Sequence, residues 1–272
     1  MTSALLSPLD AYELIQSEAN IKIFDATYPP NIDAPCLTDA IIFDIDDIAD
    51  PHSSMPHMAP SAEIFATKMQ ALGVKNSDTI IIYDAYGIHM AAARAWWMMR
   101  LFGHENVRVI NGGLKAWAQV GLPLVAHHKT PHPINTLYHA ELQKHLIVNL
   151  DEVKDIVETD SAMILDARPP ERFLGLSPEP RPKMRAGHMP HAINIPTGSL
   201  LDPATGGMKE TPPLPTFDSN QKIVTSCGSG VTACVIALAL FEKGKKDVAI
   251  YDGSWAEWGN EALNLPIVKS AP

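Results

Sequence analysis

Cysteine is scarce in this chain: three residues in 272, namely Cys36, Cys227 and Cys234. Three thiols cannot build a disulfide framework. No CxxC pair and no His/Cys/carboxylate spacing suggests a metal, and nothing calls for a cofactor. Positive charge is scarce as well, with 21 Lys and Arg against 31 Asp and Glu, a net charge of −10 and a pI near 5.5. Such a chain is a poor nucleic-acid binder, because phosphate contacts need clustered basic side chains. Any anionic substrate must be held by a local cationic pocket. The longest apolar run, Val231 to Phe241, is too short to span a bilayer. The first residues lack a basic stretch and already carry Asp10 and Glu13, so they do not read as a signal peptide. These absences predict a reducing, cytoplasmic setting in which a reactive cysteine stays a thiol, with neither membrane nor nucleic acid as partner.

What is present is an internal duplication. Ile21-Lys-Ile-Phe-Asp25-Ala matches Met163-Ile-Leu-Asp166-Ala, and 166 − 25 = 141. Gly112-Gly-Leu-Lys-Ala-Trp117 matches Gly253-Ser-Trp-Ala-Glu-Trp258, where 258 − 117 = 141 again. Thr79-Ile-Ile-Ile-Tyr83 corresponds to Lys222-Ile-Val-Thr-Ser226. Two long repeats mean a duplicated domain. The boundaries read as 1–122 and 139–272, joined by a linker at 123–138 that is rich in Pro and His and has no periodicity.

Each half alternates short apolar runs with helical patterns. Strands are predicted at Ile21–Asp25, Ala40–Phe43, Thr79–Tyr83 and Val107–Ile110, then at Met163–Asp166, Ala192–Ile195, Lys222–Thr225 and Val248–Tyr251. They are too apolar to alternate, as parallel strands covered on both faces are. Helices are predicted at Pro8–Glu18, Ser61–Leu72, Ala91–Phe102 and Gly113–Val120, then at Asn149–Glu158, Thr232–Lys243 and Gly253–Asn260. The fold class is therefore α/β, two tandem domains each with a mainly parallel sheet flanked by helices. Ligands in such sheets sit beyond the carboxyl ends of the strands.

The segment Ile223-Val-Thr-Ser-Cys227-Gly-Ser-Gly-Val-Thr-Ala-Cys234 places a thiol at such an end. Gly228 and Gly230 allow a tight loop whose N–H groups turn inward as an anion nest, and the helix that follows adds its positive end. Both favour the thiolate of Cys227 over the thiol. Cys234, inside the helix among Ala233, Val235 and Ile236, reads as core. A cysteine phosphatase would carry an arginine six positions after its nucleophile to grip phosphate oxygens, and Ala233 stands there. The second half also carries Asp166-Ala-Arg168-Pro-Pro-Glu-Arg172 and Glu179-Pro-Arg181, a strand end followed by a Pro-rich arginine loop.

The Cys-Gly-Ser-Gly-Val-Thr-Ala-Cys loop, the Asp-Ala-Arg and Glu-Pro-Arg segments, Trp96-Trp97-Met98 and Asn111-Gly-Gly-Leu-Lys-Ala-Trp117 together resemble the two-domain rhodanese-type sulfurtransferases, in particular the 3-mercaptopyruvate branch. The resemblance implies that Cys227 carries sulfane sulfur as a persulfide and passes it to cyanide or a thiol acceptor such as thioredoxin. It implies that Arg172 and Arg181 hold the keto-acid donor against the loop Gly228, Gly230, Val231 and Thr232. It further implies a proton relay of Asp46, His57 and Ser229. The alternatives are a thiosulfate:cyanide sulfurtransferase and a persulfide-relay protein with little catalysis. The first half lacks a sulfur carrier, with Ala85 at the position matched to Cys227. His52, His89 and the His127–His128 pair read as ordinary loop histidines. The stretch Tyr28 to Asp39 is shorter than in that family and leaves Cys36 without a role.

Overall fold

The structure, a computed structural model, describes residues 3–87, 90–135 and 137–269, so His89 lies outside the described residues. The first half runs β1 (Leu5–Leu6), α1 (Pro8–Ser17), β2 (Ile21–Asp25), β3 (Ala40–Ile42), α2 (Ala62–Ala71), β4 (Thr79–Tyr83), α3 (Met90–Leu101), β5 (Val107–Ile110) and α4 (Gly113–Gln119). The second runs β6 (Ile147–Val148), α5 (Leu150–Thr159), β7 (Met163–Asp166), α6 (Pro170–Phe173), β8 (Ile193–Asn194), α7 (Thr197–Leu200), β9 (Ile223–Ser226), α8 (Ala233–Glu242), β10 (Ala249–Tyr251) and α9 (Ser254–Trp258). Each half forms a five-stranded parallel sheet, in the orders β1-β5-β4-β2-β3 and β6-β10-β9-β7-β8. Strand for strand the two orders are the same, as the duplication requires.

The predicted strands and helices are all present. The edge strands β1 and β6 are not predicted by periodicity because two residues carry no period. Each is an apolar pair directly before a helix cap. Ser7 accepts the N–H of Asp10 ahead of Pro8, and Asn149 with Glu152 forms a reciprocal capping box. The central strands β4 and β9 are buried along their whole length, and α8, which follows β9, is buried through Leu240. An all-apolar helix has no solvated face to offer, which places it inside the layer.

Two compact units emerge. One comprises Met1–Pro51, Ala59–Gln143 and Leu201–Glu210, the other His52–Met58, Lys144–Leu200 and Thr211–Pro272. Residues 123–138 are laid on the first unit. Cys36 and Val125 exchange backbone hydrogen bonds at 2.9 Å, and Lys129 N–H donates to the Ala40 carbonyl at 2.8 Å. Cys36 is buried in the core, and burial together with the Asp25 carboxylate pushes its thiol pKa up. His128 is not an ordinary loop histidine. Its Nε2 meets Asp25 Oδ2 at 2.9 Å with both side chains nearly excluded from solvent.

Strand register corrects one correspondence. Asp25 pairs with Tyr83, and its counterpart Asp166 pairs with Ser226. The carbonyl of Asp84 accepts the N–H of Leu114, as that of Cys227 accepts the N–H of Trp255. Asp84, and not Ala85, therefore occupies the position of Cys227. From Asp25 to Tyr83 the first half counts 83 − 25 = 58 residues, against 226 − 166 = 60 from Asp166 to Ser226, so the offset at this strand is 143 and not 141. A carboxyl thus stands in the first unit where the second has its thiol.

Asp84 is buried, one of its carboxyl oxygens (Oδ2) has no hydrogen-bond partner among the described residues, and a cavity of about 70 Å³ opens beside it between Tyr28, Tyr86, Met90 and Ala91. Burial pushes its pKa up to about 7 despite N–H donors from Tyr86, Ala92 and Gly87. Because the folded value lies above the unfolded one near 3.9, the native state is favoured below pH ~4 and loses that advantage as pH rises through about 7. Replacing Asp84 with Asn should remove roughly 2–3 kcal/mol of the stability loss between pH 5 and pH 8. Urea unfolding of both proteins at the two pH values measures this.

Candidate active site

The second unit builds its site at the carboxyl end of β9. Cys227 is 2% exposed and begins a loop that ends where α8 starts at Ala233. Gly230 adopts φ +77°, the conformation expected of a loop glycine. Gly228 does not, and its value is space. A β-carbon there would stand 3.2 Å from Arg172 Nη2 and 3.9 Å from Arg181 Nη1. Both guanidinium groups therefore converge beside the residue that follows the thiol.

The loop's backbone groups are divided between two sides. The carbonyls of Cys227 and Gly228 accept the N–H groups of Trp255 and Ala256 at 3.0 and 2.9 Å. The N–H groups of Cys227 and Gly230 both donate to Ser254 Oγ at 3.1 Å, and that hydroxyl donates onward to the Tyr251 carbonyl at 2.8 Å. The anion nest expected from sequence is thus smaller than the whole loop. Among the described residues, the N–H groups of Gly228, Ser229, Val231 and Thr232 have no acceptor. They stand ahead of a ten-residue helix whose positive end adds to the same field. Cys234 is core, as expected, and its thiol also donates to the Gly230 carbonyl at 3.2 Å.

Ser254 supports the loop and stands out by no motif or period in the sequence. It is fully buried at φ +50°, a costly backbone for a residue with a β-carbon. Its counterpart is Gly113, where a β-carbon would collide with the Asp84 carbonyl. A serine replacing glycine between otherwise matching repeats was the available signal.

Glu179 likewise has a place in the site that its spacing does not announce. Its side chain is 3% exposed, and it receives Arg168 Nη1 at 2.9 Å on one oxygen and Arg172 Nε at 3.1 Å and Nη2 on the other. Arg168, buried over the Trp255 ring at 4.1 Å, also makes a bidentate pair with Asp166 and donates to the Gly187 carbonyl. It is a structural tie. Arg181 is half-buried and has no carboxylate partner among the described residues.

Cys227, Ser229, Arg172 and Arg181 belong to the second unit, and so does the half-buried His57, at φ +60°. Asp46 belongs to the first, where its Oδ2 accepts the Tyr28 hydroxyl at 2.8 Å.

The Rhodanese-like domain profile matches residues 7–120 and again 149–261. The human 3-mercaptopyruvate sulfurtransferase is 39% identical over 228 residues, covering 80% of this chain and 75% of that one. The Arabidopsis thaliana thiosulfate/3-mercaptopyruvate sulfurtransferase 1, mitochondrial, is 36% identical over 285 residues, 92% of this chain and 74% of its own. Among solved structures, the Saccharomyces cerevisiae Tum1 protein superposes with a TM-score of 0.87 at 30% identity over the full length of both chains. The Escherichia coli 3-mercaptopyruvate sulfurtransferase SseA gives 0.79 at 32% identity, covering 94% of this chain and all of that one. The chain belongs to the rhodanese family, as a tandem two-domain sulfurtransferase.

Replacing Ser254 with Ala should strand two buried N–H groups at about 1–3 kcal/mol of stability and cut sulfur-transfer turnover about tenfold or more. Ser254→Gly should lose the same turnover but less stability, because it relieves the positive φ. Urea unfolding and turnover assays of both variants check this.

Proposed function

We propose that this protein transfers sulfane sulfur from 3-mercaptopyruvate to a thiol acceptor through a persulfide on Cys227. The observation that carries the reading is the convergence of two guanidinium groups on Gly228, one residue beyond the thiol. An α-keto acid offers a carboxylate and an adjacent carbonyl, which suit two planar N–H forks. Its thiol then lies over the loop.

The Cys227 thiolate attacks the donor sulfur. The carbon–sulfur bond breaks with its electron pair going to carbon, which gives the enolate of pyruvate and the enzyme persulfide. The N–H groups of Gly228, Ser229, Val231 and Thr232 with the α8 terminus stabilise the sulfur anion. Ser229 and His57 are assigned the return of a proton to the enolate carbon, and Asp46, which accepts the Tyr28 hydroxyl, is the third member that the family resemblance implies. A small thiol or thioredoxin-like protein takes the outer sulfur in a reducing, cytoplasmic compartment. No cofactor is required, since the cysteine carries the group.

Intact-mass measurement after mixing with 3-mercaptopyruvate should show a gain of one sulfur atom, and Cys227→Ser should show none. A wild-type protein that stays unmodified would overturn the reading. Arg172→Ala and Arg181→Ala should each raise KM for 3-mercaptopyruvate by about tenfold to a hundredfold, read from steady-state kinetics.

A further inference from the structure

We infer that Glu179 sets the charge of the donor pocket and so determines which sulfur donor is preferred. This rests on the sulfurtransferase reading above. The ion pairs form a chain: Asp166 with Arg168, Arg168 with Glu179, Glu179 with Arg172. Two carboxylates against two guanidinium groups leave no net charge along it. Arg181 then stands as the cation with no carboxylate partner among the described residues, so this set of side chains presents a single net positive charge to a ligand beside Gly228.

One positive charge, set against the Cys227 thiolate that any donor also meets, favours a donor whose only charge is a carboxylate, such as 3-mercaptopyruvate. A dianionic donor such as thiosulfate would enter with one negative charge uncompensated in a low-dielectric pocket. The Glu179 carboxylate, 3% exposed and beyond the screening of water, acts on both donors at short range. It acts twice as strongly on the dianion. Glu179 also fixes the Arg172 guanidinium through Nε and Nη2, which leaves Nη1 as the group free of Glu179 contact for the donor.

Glu179 is thus a positioning and specificity residue that acts through Arg172. Replacing it with Gln keeps the shape and removes the charge. The ratio of kcat/KM for thiosulfate to that for 3-mercaptopyruvate should rise by about tenfold or more in Glu179→Gln. Glu179→Asp, which keeps the charge, should return the ratio toward the wild-type value. A residue that merely held the fold would depress both donors equally, and an unchanged ratio in a folded Glu179→Gln protein overturns the inference. Independently of any variant, pyruvate should compete with the donor more tightly than sulfate in wild type at matched ionic strength, and the reverse order also overturns it. Failure of wild type to form a persulfide from either donor would instead remove the reading on which the inference rests, and would be seen before any variant is compared.

Discussion

A single buried hydroxyl governs the shape of the reactive loop. Ser254 Oγ accepts the N–H groups of Cys227 and Gly230 and donates its own hydrogen bond to the Tyr251 carbonyl, so the loop is pinned at its first residue and at Gly230. The N–H groups between and after those two points are thereby the ones presented to an anion. Two further ties reinforce the arrangement, the carbonyls of Cys227 and Gly228 bound by the start of α9 and the Cys234 thiol on the Gly230 carbonyl. The helix that supplies the positive end is buried along nearly its whole length, so its field acts where water cannot weaken it.

The two halves show one topology carrying a thiol at a strand end in one copy and a carboxyl in the other. The strand-end carboxylate is kept in both, as Asp25 and Asp166. In the second half Arg168 neutralises it from two residues away. In the first, Thr27 stands at the equivalent place and bonds Asp25, and the second oxygen of Asp25 meets the His128 ring nitrogen at 2.9 Å. The position of the thiol becomes Asp84, and the pinning serine becomes Gly113. Thiol and pin are lost together, which is consistent with the hydroxyl serving the loop and not the sheet.

Much of this was legible in the residues themselves. Apolar runs covered on both faces gave the strands, and the recurrence at 141 residues gave the two domains, because burial and period are local properties. Cys227 was legible because glycine punctuation between a strand and a helix has few other meanings. Arg172 and Arg181 were legible through resemblance alone, since a Pro-rich stretch carries no period that would say where a guanidinium goes. Ser254, Glu179 and His128 were not found. Each acts on a partner that is 24 or more residues away, or across an irregular loop, and their spacing along the chain encodes nothing about that meeting. The pairing of Ala85 with Cys227 is different in kind, a slip of one residue, because matching Thr79–Tyr83 to Lys222–Ser226 already sets Asp84 opposite Cys227, as the strand register does.

The surroundings of Arg168 limit what substitution can do at that place. Its planar head spends Nε, Nη1 and Nη2 on Asp166, Glu179 and the Gly187 carbonyl while lying flat on an indole. An ammonium has three donors in a tetrahedral spread and no flat face to stack. Exchange between the two basic amino acids, tolerated on a wet surface, is closed here, so drift at this codon runs into loss of the Asp166 and Glu179 pairings before it reaches any neutral alternative.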